Sequence, residues 1–134
     1  MSINLYRVIQ PVHDIEVAQR FYSYVFDDAG ERVSPGRHYF HCGNTILACY
    51  DPDADGDGSD HTWMPHGNQY LYFAVSNLDA VLNRVREAGG IILSQIETMP
   101  WGERLFYCKD PFANPIAFVD QTTVFNGKAT GSMI

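Results

Sequence analysis

The apolar positions of the chain follow two periods, the period of two that is typical of strands and the 3.6-residue period of helices. Five apolar residues have helical spacing between positions 15 and 26, namely Ile15, Ala18, Phe21, Tyr22 and Val25. A second set has this spacing between positions 78 and 88, namely Leu78, Val81, Leu82, Val85 and Ala88. The pattern predicts two helices. Asp14 caps the first, a Ser76–Asp79 capping box begins the second, and Gly89-Gly90 ends it.

Short segments rich in aromatic and other strand-favouring residues surround both predicted helices. In the first half they are residues 5–12, 32–34, 38–42 and 45–50, and in the second half residues 70–75, 91–94, 104–109 and 115–120. Turn signals such as Pro35-Gly36 and Gly43-Asn44 separate neighbouring segments. The pattern in each half therefore predicts a strand, a helix and three further strands, in that order.

The two halves have the spacing of an internal repeat. A shift of 63 residues places Val8 on Leu71 and Asp14 on Asn77, and a shift of about 70 relates the ends of the halves. We predict a single domain over residues 1–134. It consists of module one (about 3–50), an acidic linker (51–68), module two (about 69–121) and a tail (122–134).

Charge and composition exclude several classes of protein. The chain has 9 basic and 16 acidic residues and a net charge of −7, which argues against a nucleic-acid partner. No apolar run approaches the length of a membrane span and no signal peptide is visible. Three cysteines without a CxxC pair fit a reducing cytoplasm.

The acidic segment 51–57 resembles the start of a calcium-binding EF-hand loop, but Thr62 replaces the closing Glu, so we predict a solvated linker.

Several short motifs together resemble one protein family. In chain order they are Val12-His13-Asp14, Phe21-Tyr22, Asn77-Leu78-Asp79-Ala80, Ala88-Gly89-Gly90, Trp101-Gly102 and Asp110-Pro111-Phe112-Ala113-Asn114-Pro115. Over residues 3 to about 121, the chain resembles the vicinal oxygen chelate superfamily, which includes glyoxalases, bleomycin resistance proteins and extradiol dioxygenases. The resemblance implies an α+β fold. Two tandem βαβββ modules would form a curved, cup-shaped eight-stranded mixed sheet that holds a ligand. It also implies a homodimer.

The metalloenzymes of that family ligate a divalent metal from four positions. The resemblance places these positions at Arg7, Tyr70, Ala117 and Leu47, or at Ala48 instead of Leu47 if the register slips by one. Arginine keeps its proton at neutral pH, and alanine and leucine have no donor atom. Because Tyr70 alone cannot hold a metal, we predict no metal and no other cofactor.

Six residues are expected to line the cup, namely Arg7, Phe40, Tyr70, Tyr72, Trp101 and Phe106. Each has a structural alternative. Arg7 could form an ion pair, Trp101 could anchor a loop, and the other aromatic residues could belong to the core. A guanidinium and a phenol beside aliphatic side chains favour a small organic molecule with an anionic or carbonyl group and an apolar body.

Two functional hypotheses follow from these residues. The first is a metal-free small-molecule binding protein that acts by sequestration or resistance. The second is an enzyme of the same superfamily, a lyase, isomerase or dioxygenase, with displaced metal ligands or with no metal. In a metal-free enzyme, Tyr70 would act as a general acid and Arg7 would stabilise an oxyanion. A metal site built from His38, His41, His61 and His66 is a weaker possibility, since His38 and His41 face opposite sides of one strand.

Overall fold

The structure is a computed structural model that describes residues 1–125. Its elements are β1 (Arg7–Pro11), α1 (Ile15–Phe26), β2 (Glu31–Ser34), β3 (Arg37–Cys42), β4 (Thr45–Tyr50), β5 (Leu71–Val75), α2 (Leu78–Glu87), β6 (Ile91–Ile92), β7 (Glu97–Thr98), β8 (Arg104–Lys109), β9 (Pro115–Asp120) and a 3-10 turn (Gln121–Thr123). None of the helices in this part of the chain is long and apolar enough to cross a membrane. Most of the predicted tail, 122–134, lies outside the described residues.

The strands form two mixed sheets, one for each module. The first has the order β1-β4-β3-β2, and the second has the order β5-β9-β8-β6 with β7 also paired to β8. The pairs β1–β4 and β5–β9 are parallel, and the other pairs are antiparallel. The α+β class and the two tandem modules are confirmed. The arrangement differs in two respects from a single eight-stranded cup: the sheets within residues 1–125 are separate, and β7 is an additional short strand.

Both helices start where a side chain caps their first turn. The Asp14 carboxylate accepts hydrogen bonds from the backbone N–H groups of Glu16 and Val17 at 3.1 and 3.2 Å. In α2 the cap is Asn77, whose side chain accepts from the Ala80 N–H at 3.1 Å. The predicted Ser76–Asp79 box was therefore wrong by one residue. Asn77 is the repeat counterpart of Asp14, and both residues bind free N–H groups of the first helical turn.

One hydrophobic core joins the two modules. It contains the apolar sides of both helices and one face of each sheet. The ring of Phe26 lies 5.5 Å from Phe40 of module one and 5.2 Å from Phe73 of module two, measured between ring centroids. Phe73 and Phe106 both stack on Phe118 at 5.5 Å. The helices therefore cover one face of each sheet. They do not cover the opposite face, which we call the open face.

A buried polar network also links the modules. The Tyr22 hydroxyl donates to the Asp110 carboxylate at 2.7 Å, across 88 residues of sequence. The Asn114 side-chain amide donates to the same carboxylate and to the Pro11 carbonyl, both at 2.8 Å. Asp110 is fully buried, and its burial raises its pKa despite these donors. The turn between β8 and β9 is thus fixed against module one.

The acidic segment 51–68 folds back on the β2–β3 hairpin instead of forming a freely solvated linker. The Asp55 carboxylate accepts from the Ser34 hydroxyl at 2.8 Å and pairs with Arg37 at 3.2 Å. The Asp57 carboxylate accepts from the Tyr50 hydroxyl. Because these oxygens already have protein donors, they are not arranged as the ligands of an EF-hand.

Candidate functional site

The open face of module one carries a cation held between tyrosines. In the register of the sheet, Ile9 of β1 and Tyr39 of β3 both pair with Ala48 of β4. Arg7 lies two residues before Ile9, on the same side of β1. Alternate residues such as Phe40 point to the core and are buried. The open face of module one is therefore formed by Arg7, Ile9, Tyr39 and Ala48.

Arg7 has aromatic partners. Its Nη1 donates to the Tyr39 hydroxyl at 3.2 Å. Its guanidinium carbon lies 5.3 Å from the ring centroid of Tyr6 and 5.7 Å from that of Tyr39, within the range of cation–π attraction. In residues 1–125, Arg7 forms no ion pair with a carboxylate. The guanidinium is held in place with its positive charge uncompensated, so it can bind an anionic group.

The open face of module two carries three tyrosines. Tyr72 of β5 and Tyr107 of β8 both pair with Ala117 of β9. The hydroxyls of Tyr72 and Tyr107 are 3.3 Å apart, and the rings of Tyr70 and Tyr107 meet edge to face at 5.4 Å. The hydrogen bond with Tyr72, together with partial burial, raises the pKa of Tyr107 to about 12. This hydroxyl is therefore neutral at pH 7.

We call Tyr70, Tyr72 and Tyr107 the tyrosine cluster. Tyr70 is 37% exposed and Tyr72 is 52% exposed, so their rings can contact a planar or apolar molecule. Sequence reasoning did not identify Tyr107. The limits of its strand were predicted correctly, but Phe106 was chosen in place of its neighbour. The strand register relates Tyr107 to Tyr39, because Tyr39 pairs with Ala48 as Tyr107 pairs with Ala117.

The strand register distinguishes the two alternatives, Leu47 and Ala48, for one of the four positions that the resemblance implies for metal ligands. The pairing of Ile9 with Ala48 matches the pairing of Tyr72 with Ala117, so Ala48 is the counterpart of Ala117. Leu47 points to the opposite face and belongs to the hydrophobic core, whereas Ala48 is not part of that cluster. The alternative position, Ala48, is therefore the one on the open face.

These four positions do not fit a divalent metal. They carry Arg7, Ala48, Tyr70 and Ala117, of which only Tyr70 has an oxygen that could ligate, and it does so only after losing its proton. Within residues 1–125, no group of three or more His, Cys, Asp or Glu side chains is arranged to hold a metal ion. The side chains at these four positions thus do not form a metal-ligand set.

Three other predicted lining residues lie away from these two clusters. Phe40 and Phe106 are 1% and 0% exposed and belong to the core, because each points to the helix side of its strand. Trp101 is exposed in the turn before β8, and its indole N–H donates to Glu103 at 2.8 Å. In the described part of the chain, it makes no ring contact with the tyrosine cluster.

Of the four histidines considered for a metal site, His38 has structural partners, whereas His41, His61 and His66 are exposed. Nε2 of His38 is 2.8 Å from the Ala29 carbonyl oxygen, and its Nδ1 accepts from Arg32. Burial raises the pKa of Cys108 to about 12 and also raises that of Cys49. These thiols therefore stay protonated and are poor nucleophiles at pH 7.

Comparison with known sequences identifies one family. The sequence profile described as Glyoxalase/Bleomycin resistance protein/Dioxygenase superfamily matches residues 4–118. No curated protein matches the chain by sequence.

Solved structures show the same fold at low sequence identity. A glyoxalase-related enzyme from Fulvimarina pelagi is 20% identical, with 87% of each chain covered and a TM-score of 0.73. A glyoxalase/bleomycin resistance protein from Albidiferax ferrireducens T118 is also 20% identical, with 86% of this chain and 97% of that chain covered and a TM-score of 0.73. A lactoylglutathione lyase from Agrobacterium tumefaciens is 19% identical, with 91% and 97% covered and a TM-score of 0.66. This chain belongs to the glyoxalase/bleomycin resistance protein/dioxygenase superfamily.

Proposed function

We propose that this protein binds a small organic molecule without a resident metal, as a sequestration or resistance protein. Its ligand has an anionic or carbonyl oxygen and an apolar, preferably planar, body. The observation that carries the proposal is the residue set on the two open faces. Arg7 and Tyr70 are two of the four positions at which the resemblance to metalloenzymes of the superfamily implies metal ligands, and neither residue is a usual metal ligand at neutral pH.

The chemistry of each face supports one part of such a ligand. Arg7 is held by Tyr39 and Tyr6 with no carboxylate partner in the described residues, so it can donate paired hydrogen bonds to a carboxylate or a carbonyl oxygen. The edge-to-face rings of Tyr70 and Tyr107 leave aromatic surface for the body of the ligand.

We also propose that the protein is a homodimer in the cytoplasm. Its open faces expose apolar side chains, including Ile9 at 41% and Tyr72 at 52%. Apolar surface of this kind on a folded domain marks an interaction site. A second copy that covers these faces would enclose the ligand between protein walls. Sedimentation equilibrium would test the oligomeric state.

The binding proposal is tested with matched aromatic probes. We would titrate the protein with 2-naphthoate and with the neutral 2-naphthamide and measure affinity by calorimetry. We expect tighter binding of 2-naphthoate. The variant Arg7→Ala should weaken 2-naphthoate binding by roughly ten- to a hundredfold, because a hydrogen bond to a charged group contributes about 1.5–3 kcal/mol. Binding of 2-naphthamide should change much less.

Two further variants define the outcomes. Arg20→Ala removes an exposed arginine on α1 and serves as the charge-matched control, so it should bind both probes like the wild type. Tyr107→Ala should weaken both probes, because it removes ring surface and not charge. Equal binding of 2-naphthoate by Arg7→Ala and Arg20→Ala would contradict the proposal.

A further inference from the structure

A cleft of about 830 Å³ lies between the two modules, separate from the Arg7–Tyr39 pair. One wall is formed by the end of α1 and the β3–β4 turn, including Asp27, Asp28 and Gly43. The other wall is formed by the end of β5 and the start of α2, including Ser76 and Arg84. This volume is within the range of pockets that hold small molecules.

The cleft exists because the internal repeat is uneven. In module two, five residues (110–114) connect β8 to β9, and this turn reaches across to Pro11 and Tyr22 of module one. In module one, only Gly43 and Asn44 connect β3 to β4. The 63-residue shift carries Pro11 onto Ala74, which lines the cleft. Within residues 1–125, the space that the long turn fills on one side of the molecule is therefore open on the other.

The floor of this cleft is aromatic. Phe26 and Phe73 line it with their ring centroids 5.2 Å apart, and both side chains are only half-buried. Val75 and Val81 extend the apolar surface. Such a surface gains free energy when an apolar group covers it.

The rim selects the charge of the occupant. Asp27 and Asp28 are adjacent carboxylates on one wall, and neither forms an ion pair within residues 1–125. Arg84 lies on the other wall. Its Nη1 donates to the Tyr24 carbonyl at 2.7 Å and its guanidinium lies 5.1 Å from the Tyr24 ring centroid, but it keeps its positive charge, since it forms no ion pair within residues 1–125 either. Two carboxylates and one guanidinium therefore leave the rim with a net negative charge.

We propose that this cleft is a second binding site, for an organic cation with an aromatic or aliphatic body. The apolar body covers Phe26 and Phe73, and a protonated amine meets the carboxylates of Asp27 and Asp28. The site does not depend on Arg7 or on the tyrosine cluster as a whole, although Tyr72 borders both surfaces. It therefore stands whether or not the proposed function is correct.

The experiment uses 2-phenylethylamine as the probe, with 2-phenylethanol and 3-phenylpropanoate as neutral and anionic controls. Binding to the full chain is followed by amide chemical shifts in NMR. We expect shifts that concentrate on residues 41–43 and 73–77, with the amine binding more tightly than either control. The double variant Asp27→Asn and Asp28→Asn should weaken amine binding by about tenfold or more. Asparagine suits the left-handed conformation of Asp27 (φ 53°).

A matched control removes two carboxylates elsewhere. Glu31→Gln with Glu97→Gln changes the net charge equally, and neither residue lines the cleft. This control should keep the wild-type affinity within about twofold. A third variant, Ala80→Trp, fills the cleft from α2 and should abolish the shifts of residues 73–77.

Three results would overturn the proposal. The first is equal binding of 2-phenylethanol and 2-phenylethylamine. The second is an equal loss of affinity in the cleft variant and in the control variant, which would indicate a general charge effect. The third is a set of shifts that lies on the open faces instead of the cleft.

Discussion

Removing a single buried hydroxyl, that of Tyr22, should destabilise the whole fold. This hydroxyl donates to Asp110 at 2.7 Å and accepts from the Gln10 amide at 3.1 Å, and all three residues are buried. A hydrogen bond to a charged group contributes about 1.5–3 kcal/mol, and a neutral one about 0.5–1.5 kcal/mol. We therefore expect Tyr22→Phe to lower the free energy of unfolding by roughly 2–4 kcal/mol. That is a large part of the ~5–15 kcal/mol typical of a domain.

A double-mutant cycle isolates the bond between the modules. Asp110→Ala leaves the Tyr22 hydroxyl and the backbone N–H groups of Phe112 and Asn114 without their acceptor, so it should cost about 3–5 kcal/mol. Because both variants remove the same bond, the double variant should lose less than the sum of the single losses, by roughly 1.5–3 kcal/mol.

The assay is urea unfolding followed by far-UV circular dichroism at one fixed protein concentration. Tyr22→Phe should move the midpoint by on the order of 1–2 M, given a slope of about 1–3 kcal/mol/M. Tyr24→Phe is the matched control. Its hydroxyl also donates to a carboxylate at 2.7 Å, that of Glu87, but at an exposed site, so its midpoint should hardly move. Equal midpoint shifts for the two variants would show that burial does not increase the contribution of the Tyr22–Asp110 hydrogen bond.

The pH dependence of the free energy of unfolding provides a second test of the same hydrogen-bond network. Burial raises the pKa of Asp110 above its unfolded value of about 3.9. The native state then binds the proton more tightly than the unfolded chain does. Protonation of Asp110 therefore contributes to the free energy of unfolding. This contribution is fully present below about pH 4, and it is lost as the pH rises through the pKa of Asp110 in the folded protein. The stability difference between wild type and Asp110→Ala should therefore be widest at low pH and should narrow as the pH rises.

Three further predictions concern other parts of the molecule. Gly90→Ala would place a methyl group 2.6 Å from Val85 Cγ1, so we expect a loss of about 1–3 kcal/mol in thermal or urea unfolding, and an unchanged midpoint would contradict the packing. Burial alone would raise the pKa of Asp55, but hydrogen bonds from the β2–β3 hairpin lower it. Asp55→Ala should therefore speed amide exchange in that hairpin at neutral pH and have little effect well below pH 4. Cys108 and Cys49 should resist alkylation at pH 8 until the protein unfolds, as measured by mass spectrometry.

The sequence was sufficient for the fold because the local signals agree with one another. The apolar stripe of α1 and its Asp14 cap predicted the helix with its observed limits, Ile15–Phe26. The strands β4, β8 and β9 were also predicted with their observed limits. In these segments, periodicity, turn residues and the repeat all indicate the same element.

The candidate site was harder to predict because it depends on which face of a strand the helices cover. Phe106 and Tyr107 are neighbours in one strand, and both are aromatic, so the local pattern does not distinguish core from open face. Leu47 and Ala48 are also neighbours in one strand, and the local pattern again does not show which of them lies on the open face. Only the register between strands, set by contacts far apart in sequence, assigns each residue to its face.

The role of the acidic segment was also beyond local reasoning. Its composition is typical of a solvated linker, and nothing near Asp55 in sequence indicates a partner. Its partners, Ser34 and Arg37, lie about twenty residues earlier in the chain. The ion pair and the hydrogen bonds of Asp55 form only when the chain folds back, so the local sequence does not indicate them.

If the open faces bind their ligand without a metal, the purified protein should contain no stoichiometric transition metal. Elemental analysis measures this content on untagged protein purified without chelator and without nickel resin. We expect no transition metal near one per chain, because Arg7, Ala48, Tyr70 and Ala117 do not form a ligand set. A transition metal near one per chain that survives dialysis would rule out a metal-free site and favour the enzyme hypothesis.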